Sequence, residues 1–140
     1  MTLRDAGIDD IPYLLEIAAA EPNAPHWARQ AYLDLLPHSR IRLAEAHAEI
    51  LGFYVARRTF ETEWELETIV VAPHNRRQGI AYILISDLLS APDMDIMHLE
   101  VRASNHAARA LYEKHGFRAT GTRPRYYSNP VEDAVLYSRP

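Results

Sequence analysis

The apolar, β-branched run Ile69-Val70-Val71, with the turn and helix after it, constrains this chain most. Such a run reads as a strand buried inside a sheet. Ala72-Pro73-His74-Asn75 stops it. After a short basic turn, Ile80, Leu84 and Leu88, with Ala81, Ile85 and Leu89 beside them, recur at helical spacing. Ile96 to Val101 then reads as another strand. Strand, helix and strand in succession require a crossover, so at least part of the sheet is parallel and covered by helices. Open sheets of this kind bind ligands at the carboxyl ends of their strands. The turn after Val71 is therefore the first place to look for function.

The remaining elements alternate around this unit. Leu3 to Ala6 predicts a short first strand, and Ile11, Leu14, Leu15 and Ala18 a helix with Asp9 or Asp10 as its N-cap. Glu21-Pro22-Asn23-Ala24-Pro25 breaks that helix, and a second is expected from about Trp27 to Leu36, stopped by Pro37. Arg40 to Ala46 and Glu49 to Phe60 predict a hairpin turning near His47, with a third partner starting at Trp64. Asn105 to His115 predicts the last helix, ended by Gly116. Phe117 to Tyr127 and Val131 to Tyr137 predict a final pair of strands. The expected class is α/β, in α+β layers: a mixed, mostly antiparallel sheet of about seven strands with four helices. No repeat or linker divides the chain, so a single domain over residues 1–140 is expected.

The basic turn carries the sharpest motif, Arg76-Arg77-Gln78-Gly79-Ile80-Ala81. Glycine lets backbone approach a ligand closely, and a helix start offers unpaired N–H groups suited to a pyrophosphate. Arg76 and Arg77 add positive charge. Alone, such a segment is more often a solvated turn that starts a helix. It lacks the lysine and following serine or threonine of a triphosphate loop, and it is not Gly-x-Gly-x-x-Gly.

Context gives the turn a meaning. Thr68 to Pro73 together with this turn resembles the fourth strand and coenzyme A loop of the GNAT acetyltransferase superfamily. Asn105, Ala108, Leu111, Tyr112, Gly116 and Phe117 match that family's Asn-x-x-Ala-x-x-Leu-Tyr-x-x-x-Gly-Phe signature. Within the family, the segment from Leu99 to Asn105, the Arg125-Tyr126-Tyr127 run followed by Glu132-Asp133-Ala134, and Pro25-His26-Trp27 are similar to the bacterial ribosomal-protein alanine N-acetyltransferases. Ala81 stands where glycine is commoner, the linker Ser90 to Asp95 is short, and Pro124 precedes the Arg-Tyr-Tyr run. The resemblance implies a sheet whose fourth and fifth strands splay apart to admit acetyl-CoA. It implies that the backbone of Ile69, Val70 and Val71 and the side chain of Asn105 hold the pantetheine arm. The N–H groups from Arg77 through Gln78, Gly79 and Ile80 to Ala81 would hold the pyrophosphate.

The implied reaction sets chemical demands. An amine attacks a thioester only when neutral, yet an α-amine with a pKa of about 8, or a lysine of about 10.4, is mostly protonated at pH 7. A general base is therefore useful, and an acid must meet the departing thiolate. Glu100 interrupts an apolar strand beside the expected cleft and matches the base position of the alanine acetyltransferases. Tyr112, in the matching signature, is the acid candidate. Glu65 and Glu67 compete for the base role, and strand alternation puts both on one face with Ile69 and Val71. Each has an ordinary reading as well: a solvated carboxylate, or a core aromatic. With no cysteine in the chain, direct attack in a ternary complex is the simplest route.

The acceptor stays open at this level. Glu65, Glu67, Glu100, Glu132 and Asp133 suit a basic peptide, and Trp27, Tyr126 and Tyr127 suit the walls of a channel for its first residues. A protein N-terminus and a small amine both fit, and a non-catalytic acyl-CoA sensor is the reading from another class. A net charge of −4 argues against nucleic acid as partner. The seven histidines show no metal-ligand spacing, so no metal is expected. His98 and Glu100 share a strand face and suggest a proton relay, though a packed or exposed histidine is the commoner case. The absence of cysteine, of a signal segment and of a long apolar run predicts a cytoplasmic protein without a membrane anchor. Apolar strand surface toward the carboxyl end leaves a monomer and a homodimer both open.

Overall fold

The computed structural model describes residues 1–140. In chain order the elements are β1 (Thr2–Asp5), α1 (Ile11–Ala19), α2 (Arg29–Leu35), β2 (Ser39–Ala46), β3 (Glu49–Phe60), β4 (Glu63–Val71), α3 (Ile80–Leu89), β5 (Ile96–Arg102), α4 (His106–Lys114), β6 (Arg118–Tyr127) and β7 (Glu132–Arg139). The seven strands form one sheet in the order β1-β2-β3-β4-β5-β7-β6. Only the β4–β5 pair is parallel, as the crossover through α3 requires.

Both faces of the sheet are covered, because its strands alternate apolar residues to both sides. On one face α3 and α4 pack Ile80, Leu84, Ile85, Leu88 and Tyr112 against Tyr54, Leu66, Leu99 and Val101. On the other, α1 and α2 pack Ile11, Leu14 and Tyr32 against Leu43, Phe53, Val55 and Val70. Leu84, Ile85 and Leu88 are fully buried, each side chain contributing about 1.5–3 kcal/mol relative to exposure. An ionic knot ties α3 to the sheet from outside. Asp87 accepts from Arg42 Nε at 2.8 Å and from the Tyr54 hydroxyl at 2.7 Å, and Arg40 donates to the same hydroxyl at 3.0 Å.

β4 and β5 hold together only from Glu63↔Ile96 to Leu66↔Leu99. Beyond that, β4 pairs only with β3 and β5 only with β7. The break coincides with a bulge. Val55 faces Thr68 but Ala56 faces Leu66, leaving Glu67 as the extra residue. A bulge bends its strand and interrupts alternation. This corrects the expectation that Glu65 and Glu67 share a face with Ile69 and Val71. Leu66 before the bulge, and Ile69 and Val71 after it, all face the α3 side, whereas Glu65 lies between Trp64 and Leu66 and points away from it.

Smaller departures have local causes. Asp10 stands at the N-cap of α1 without bonding that helix. Its carboxylate instead accepts from Gly7 N–H at 2.7 Å and holds both arms of Arg4 at 2.9 Å. α2 starts at Arg29, so Trp27 lies in the preceding loop, edge-on to Tyr32 at 5.5 Å between ring centroids.

Candidate active site

The separation of β4 and β5 opens a cleft that runs through the sheet. One compartment, about 470 Å³, is bounded by Thr68, Ile69 and Val71 of β4, Val101 of β5, Ala81 of α3, and Asn105, Ala108 and Tyr112 at α4. A second, about 390 Å³, is bounded by Trp27, Pro25, Glu65, Tyr126 and Arg102. Glu100, Glu67, Arg102 and Tyr127 belong to both, with Leu66, Asn23 and Ala24.

The first compartment ends at the turn into α3. Arg77 and Gly79 both take left-handed conformations, with φ of 63° and 77°, and turn the chain sharply so that the helix start faces the cleft. A Cβ built on Gly79 would meet nothing within 4 Å, so backbone there is open to a ligand. Gln78 is exposed, while the side chain of Ile80 is buried in the core and only its backbone is free to serve a ligand. Arg76 lines the cleft, but Glu21 claims it at 3.1 Å and the Ala20 carbonyl accepts from it at 3.4 Å. Its charge is thus compensated rather than free, contrary to the simple sequence picture. Val70 buries its side chain toward α1 and α2, leaving only its backbone near the cleft. Asn105 is the N-cap of α4: Oδ1 accepts from Ala108 N–H at 3.3 Å, which leaves the amide NH₂ available as a donor.

At the junction, Leu99 and Val101 face the core and Glu100 faces the cleft between them, its side chain 17% exposed. Arg123 Nη2 stands 3.5 Å from Glu100 Oε1. Tyr112 is buried, with its ring in the core and its hydroxyl free of any protein hydrogen bond beside the cleft. Burial raises the Tyr112 phenol well above its ordinary value. Tyr127 is pushed up to about 12, by burial first and then by the Glu100 carboxylate. Tyr126 is also raised, chiefly by Glu100. Glu65 is raised by burial first, then by the like charges of Glu67 and Glu100.

Several acidic residues have other work than holding a basic peptide. Glu67 accepts from Arg57 at 2.9 Å, and Glu65 from the same guanidinium at 3.4 Å. Glu132 accepts from Ser104 N–H and from Arg102, and Asp133 accepts from Arg125 N–H at 2.9 Å. Glu132 thus braces β7 to the end of β5 and Asp133 braces β7 to β6, and both lie outside the two compartments. His98 is not a relay to Glu100, since its ring nitrogens meet Ser138 Oγ at 2.7 Å and Glu63 at 3.0 Å.

Sequence reasoning missed four lining or flanking residues. Asn23 and Ala24 read only as helix breakers. Arg102 lies over the Tyr127 ring at 4.5 Å and donates to the Ser128 and Pro130 carbonyls at 3.1 Å, fixing the β6–β7 connection. Arg123 reaches Glu100 from a strand distant in sequence, and no local pattern signals that contact.

A mixed sheet split between its fourth and fifth strands, with a glycine turn and helix start at one end of the split, defines a coenzyme A-dependent acyltransferase architecture. The chain belongs to the Acetyltransferase (GNAT) family, whose model matches residues 9–117, and it is an N-acetyltransferase that moves an acetyl group from acetyl-CoA to an amine. A Bacillus subtilis protein provisionally named a ribosomal protein bS18-alanine N-acetyltransferase is 29% identical over 139 residues, covering 96% of this chain and 91% of that protein. The N-alpha-acetyltransferase RimI of Mycobacterium tuberculosis is 35% identical over 106 residues, 74% of this chain and 67% of that one. The crystal structure of the ribosomal-protein-S18-alanine N-acetyltransferase from Escherichia coli superposes with a TM-score of 0.90 at 27% identity, covering 99% of this chain and 92% of that one. No helix here is long and apolar enough to cross a membrane.

Proposed function

We propose that the acceptor is the N-terminal α-amine of a protein, a ribosomal protein being the model case, and that Glu100 and Tyr112 carry the proton transfers. The observation behind this reading is the position of Glu100 on the shared wall of the two compartments. Tyr112 lies on the coenzyme side of that wall, and Trp27, Tyr126 and Glu65 lie on the acceptor side. The names of the similar proteins support the same acceptor class.

The first compartment fits the cosubstrate. Ala81, Ala107 and Ala108 keep it wide, and the β4 edge from Glu67 to Val71 has no β5 partner. Ile69, Val70 and Val71 would offer backbone groups to the pantetheine amides, and Asn105 would donate its NH₂. Arg77 to Ala81 would present N–H groups to the pyrophosphate, with Arg76 and Glu21 closing the side. Acetyl-CoA supplies the activated thioester. Glu100 takes the proton of the attacking amine, directly or through one water, as the nitrogen bonds to the acetyl carbon. Tyr112, kept protonated by burial, gives its proton to the sulfur as the C–S bond breaks. The single chain is one catalytic domain carrying a complete site, so a monomer and a homodimer are both competent. A ribosomal-protein acceptor puts the work in the cytoplasm.

The test is thiol release from acetyl-CoA with peptides bearing free Ala, Ser, Thr or Met termini, the same peptides blocked, and a set of small amines. Release with free termini, lost on blocking and depressed about 10²-fold by Glu100→Gln, supports the proposal. Release with small amines alone removes the protein acceptor, and unchanged turnover in Glu100→Gln removes Glu100 as base.

A further inference from the structure

The loop between α1 and α2 walls both compartments yet has few bonds of its own. Asn23 and Ala24 line both, and Pro22, Pro25 and Trp27 line the second. Proline has no N–H to give, and the amides of His26 and Trp27 meet no backbone acceptor. At its far end the loop is anchored by the Trp27 ring, edge-on to Tyr32. At its near end the ties run through Glu21, the second residue after α1. Asn23 N–H donates to Glu21 Oε1 at 3.0 Å, and Ala24 N–H donates to the Glu21 carbonyl at 3.2 Å. A ring nitrogen of His26 stands 3.4 Å from the same carbonyl.

The other carboxylate oxygen of Glu21 reaches a distant part of the chain. Oε2 accepts from Arg76 Nη2 at 3.1 Å, and that nitrogen also lies 3.4 Å from the Ala20 carbonyl, where the end of α1 leaves acceptors without helical partners. Arg76 opens the turn into α3, and both it and Glu21 line the first compartment. Their side chains are 43% and 22% exposed, so the pair closes the rim. One carboxylate therefore joins the turn proposed for the pyrophosphate to the loop that walls the acceptor. The sequence gives no sign of this, since Glu21 reads there only as part of a helix-breaking segment.

We infer that Glu21 is a positioning residue for the acceptor, fixing the α1–α2 loop to the coenzyme turn through Arg76, so that loss of the link weakens acceptor binding more than acetyl-CoA binding. The inference rests on the reading of the second compartment as the acceptor's. Without this carboxylate the Asn23 amide and the Arg76 guanidinium both lose a partner. The loop then gains conformational freedom, and the acceptor has to order it on binding. Glu100 and Tyr112 stand on other elements, so the loss falls first on the acceptor's KM.

The experiment measures kcat and KM for a peptide with a free alanine terminus, and Kd for acetyl-CoA by calorimetry. It compares the intact enzyme with Glu21→Gln, Glu21→Ala, Arg76→Ala and the double variant of the last two. Glu21→Ala is expected to raise the peptide KM about threefold to tenfold, the usual worth of one hydrogen bond and one partly exposed ion pair, and to change the acetyl-CoA Kd less. Glu21→Gln keeps an oxygen for the Asn23 amide and raises the peptide KM less than Glu21→Ala does. Adding Arg76→Ala to Glu21→Ala raises the peptide KM no further, whatever it does to acetyl-CoA binding, because Arg76 meets the loop through Glu21. A peptide KM unchanged in Glu21→Ala overturns this inference alone. So does an acetyl-CoA Kd that weakens as much as the peptide KM, which makes Glu21 a cosubstrate residue. A fall in kcat and melting temperature with both affinities unmoved assigns Glu21 a structural role and also overturns it. A further rise in the double variant, equal to that of Arg76→Ala alone, overturns the link through Arg76. Small amines consumed and no peptide consumed overturn the protein-acceptor reading, and the same variants then decide this inference on the KM of the amine.

Discussion

The ring of Tyr112 lies edge-on to Phe117 at 5.7 Å and tilted to Tyr137 at 6.4 Å, while its hydroxyl borders the cleft with no protein partner. Packing and chemistry therefore separate in one substitution. Tyr112→Phe keeps the ring and removes only the proton donor. Turnover is expected to fall about 10²-fold, a usual share for one positioned acid. The KM for acetyl-CoA and the melting temperature should change little, because no buried hydrogen bond is lost. A melt together with saturation kinetics checks both halves, and a large fall in stability would assign Tyr112 to the core alone. The pH dependence has a definite sign. Burial raises the phenol above its unfolded value of about 10, so the folded state prefers the neutral form. The stabilisation is complete below that pH and is lost as pH rises through the higher folded value. Tyr112 thus remains a proton donor across the neutral range, and any alkaline limb in kcat below about pH 10 must come from another group.

At the scale of elements, the placement of α3 depends on two glycines with different demands. A Cβ on Gly52 would lie 2.7 Å from the Val70 carbonyl oxygen, 3.1 Å from Leu84 Cδ1 and 3.2 Å from Ile80 Cγ2. The nearest obstacle is backbone, so rotamer changes cannot relieve it. Gly52→Ala is expected to cost about 1–3 kcal/mol and to push α3 away from β3 and β4. Gly79 has free space but a φ of +77°, so Gly79→Ala costs about 1–2 kcal/mol through backbone strain alone. Urea unfolding measures the stability loss of each. Acetyl-CoA binding should weaken most in Gly79→Ala if its turn cradles the pyrophosphate. The elements themselves were legible in the sequence, with helix and strand ends within about two residues of expectation. The apolar run of β4, the helical spacing of α3 and the glycine after α4 are local signals that tertiary packing did not override. The bulge at Glu67 was not legible, because it arises from the mismatch of β4 against β3, and it changed which face Glu65 shares. The start of α2 falls two residues late, at Arg29, because Trp27 packs on Tyr32 rather than joining the helix. Glu100, Tyr112 and Asn105, which line the cleft, stood out in the sequence because each lies in a dense local motif. Asn23 and Ala24 in the cleft, and Arg123 beside Glu100, did not, because those placements arise only when strands and loops distant in sequence meet.

Across the whole molecule the sheet is divided at its centre. β1, β2, β3 and β4 form one half, β5, β7 and β6 the other, and four register pairs join them, from Glu63↔Ile96 to Leu66↔Leu99. The core under α3 and α4 spans the division, but the upper halves of β4 and β5 are joined by no backbone bonds. A cosubstrate that lies in the gap and pairs with the β4 edge restores the missing ladder and links the two halves. Binding only to the folded state at a hundredfold excess over Kd adds about 2.7 kcal/mol. For a chain of this size that corresponds to a rise in melting temperature of roughly 8 °C. The gain should also be localised. Amides within residues 67–71 on the free edge of β4, and those from Arg77 to Ala81, should exchange more slowly with acetyl-CoA bound, while β1 and β2 change little. Hydrogen exchange read by mass spectrometry resolves these segments. Protection confined to the α3 turn, with residues 67–71 unchanged, would mean that the pyrophosphate is held but that β4 does not pair with the pantetheine arm. The splay would then be a consequence of the Glu67 bulge alone rather than a binding edge.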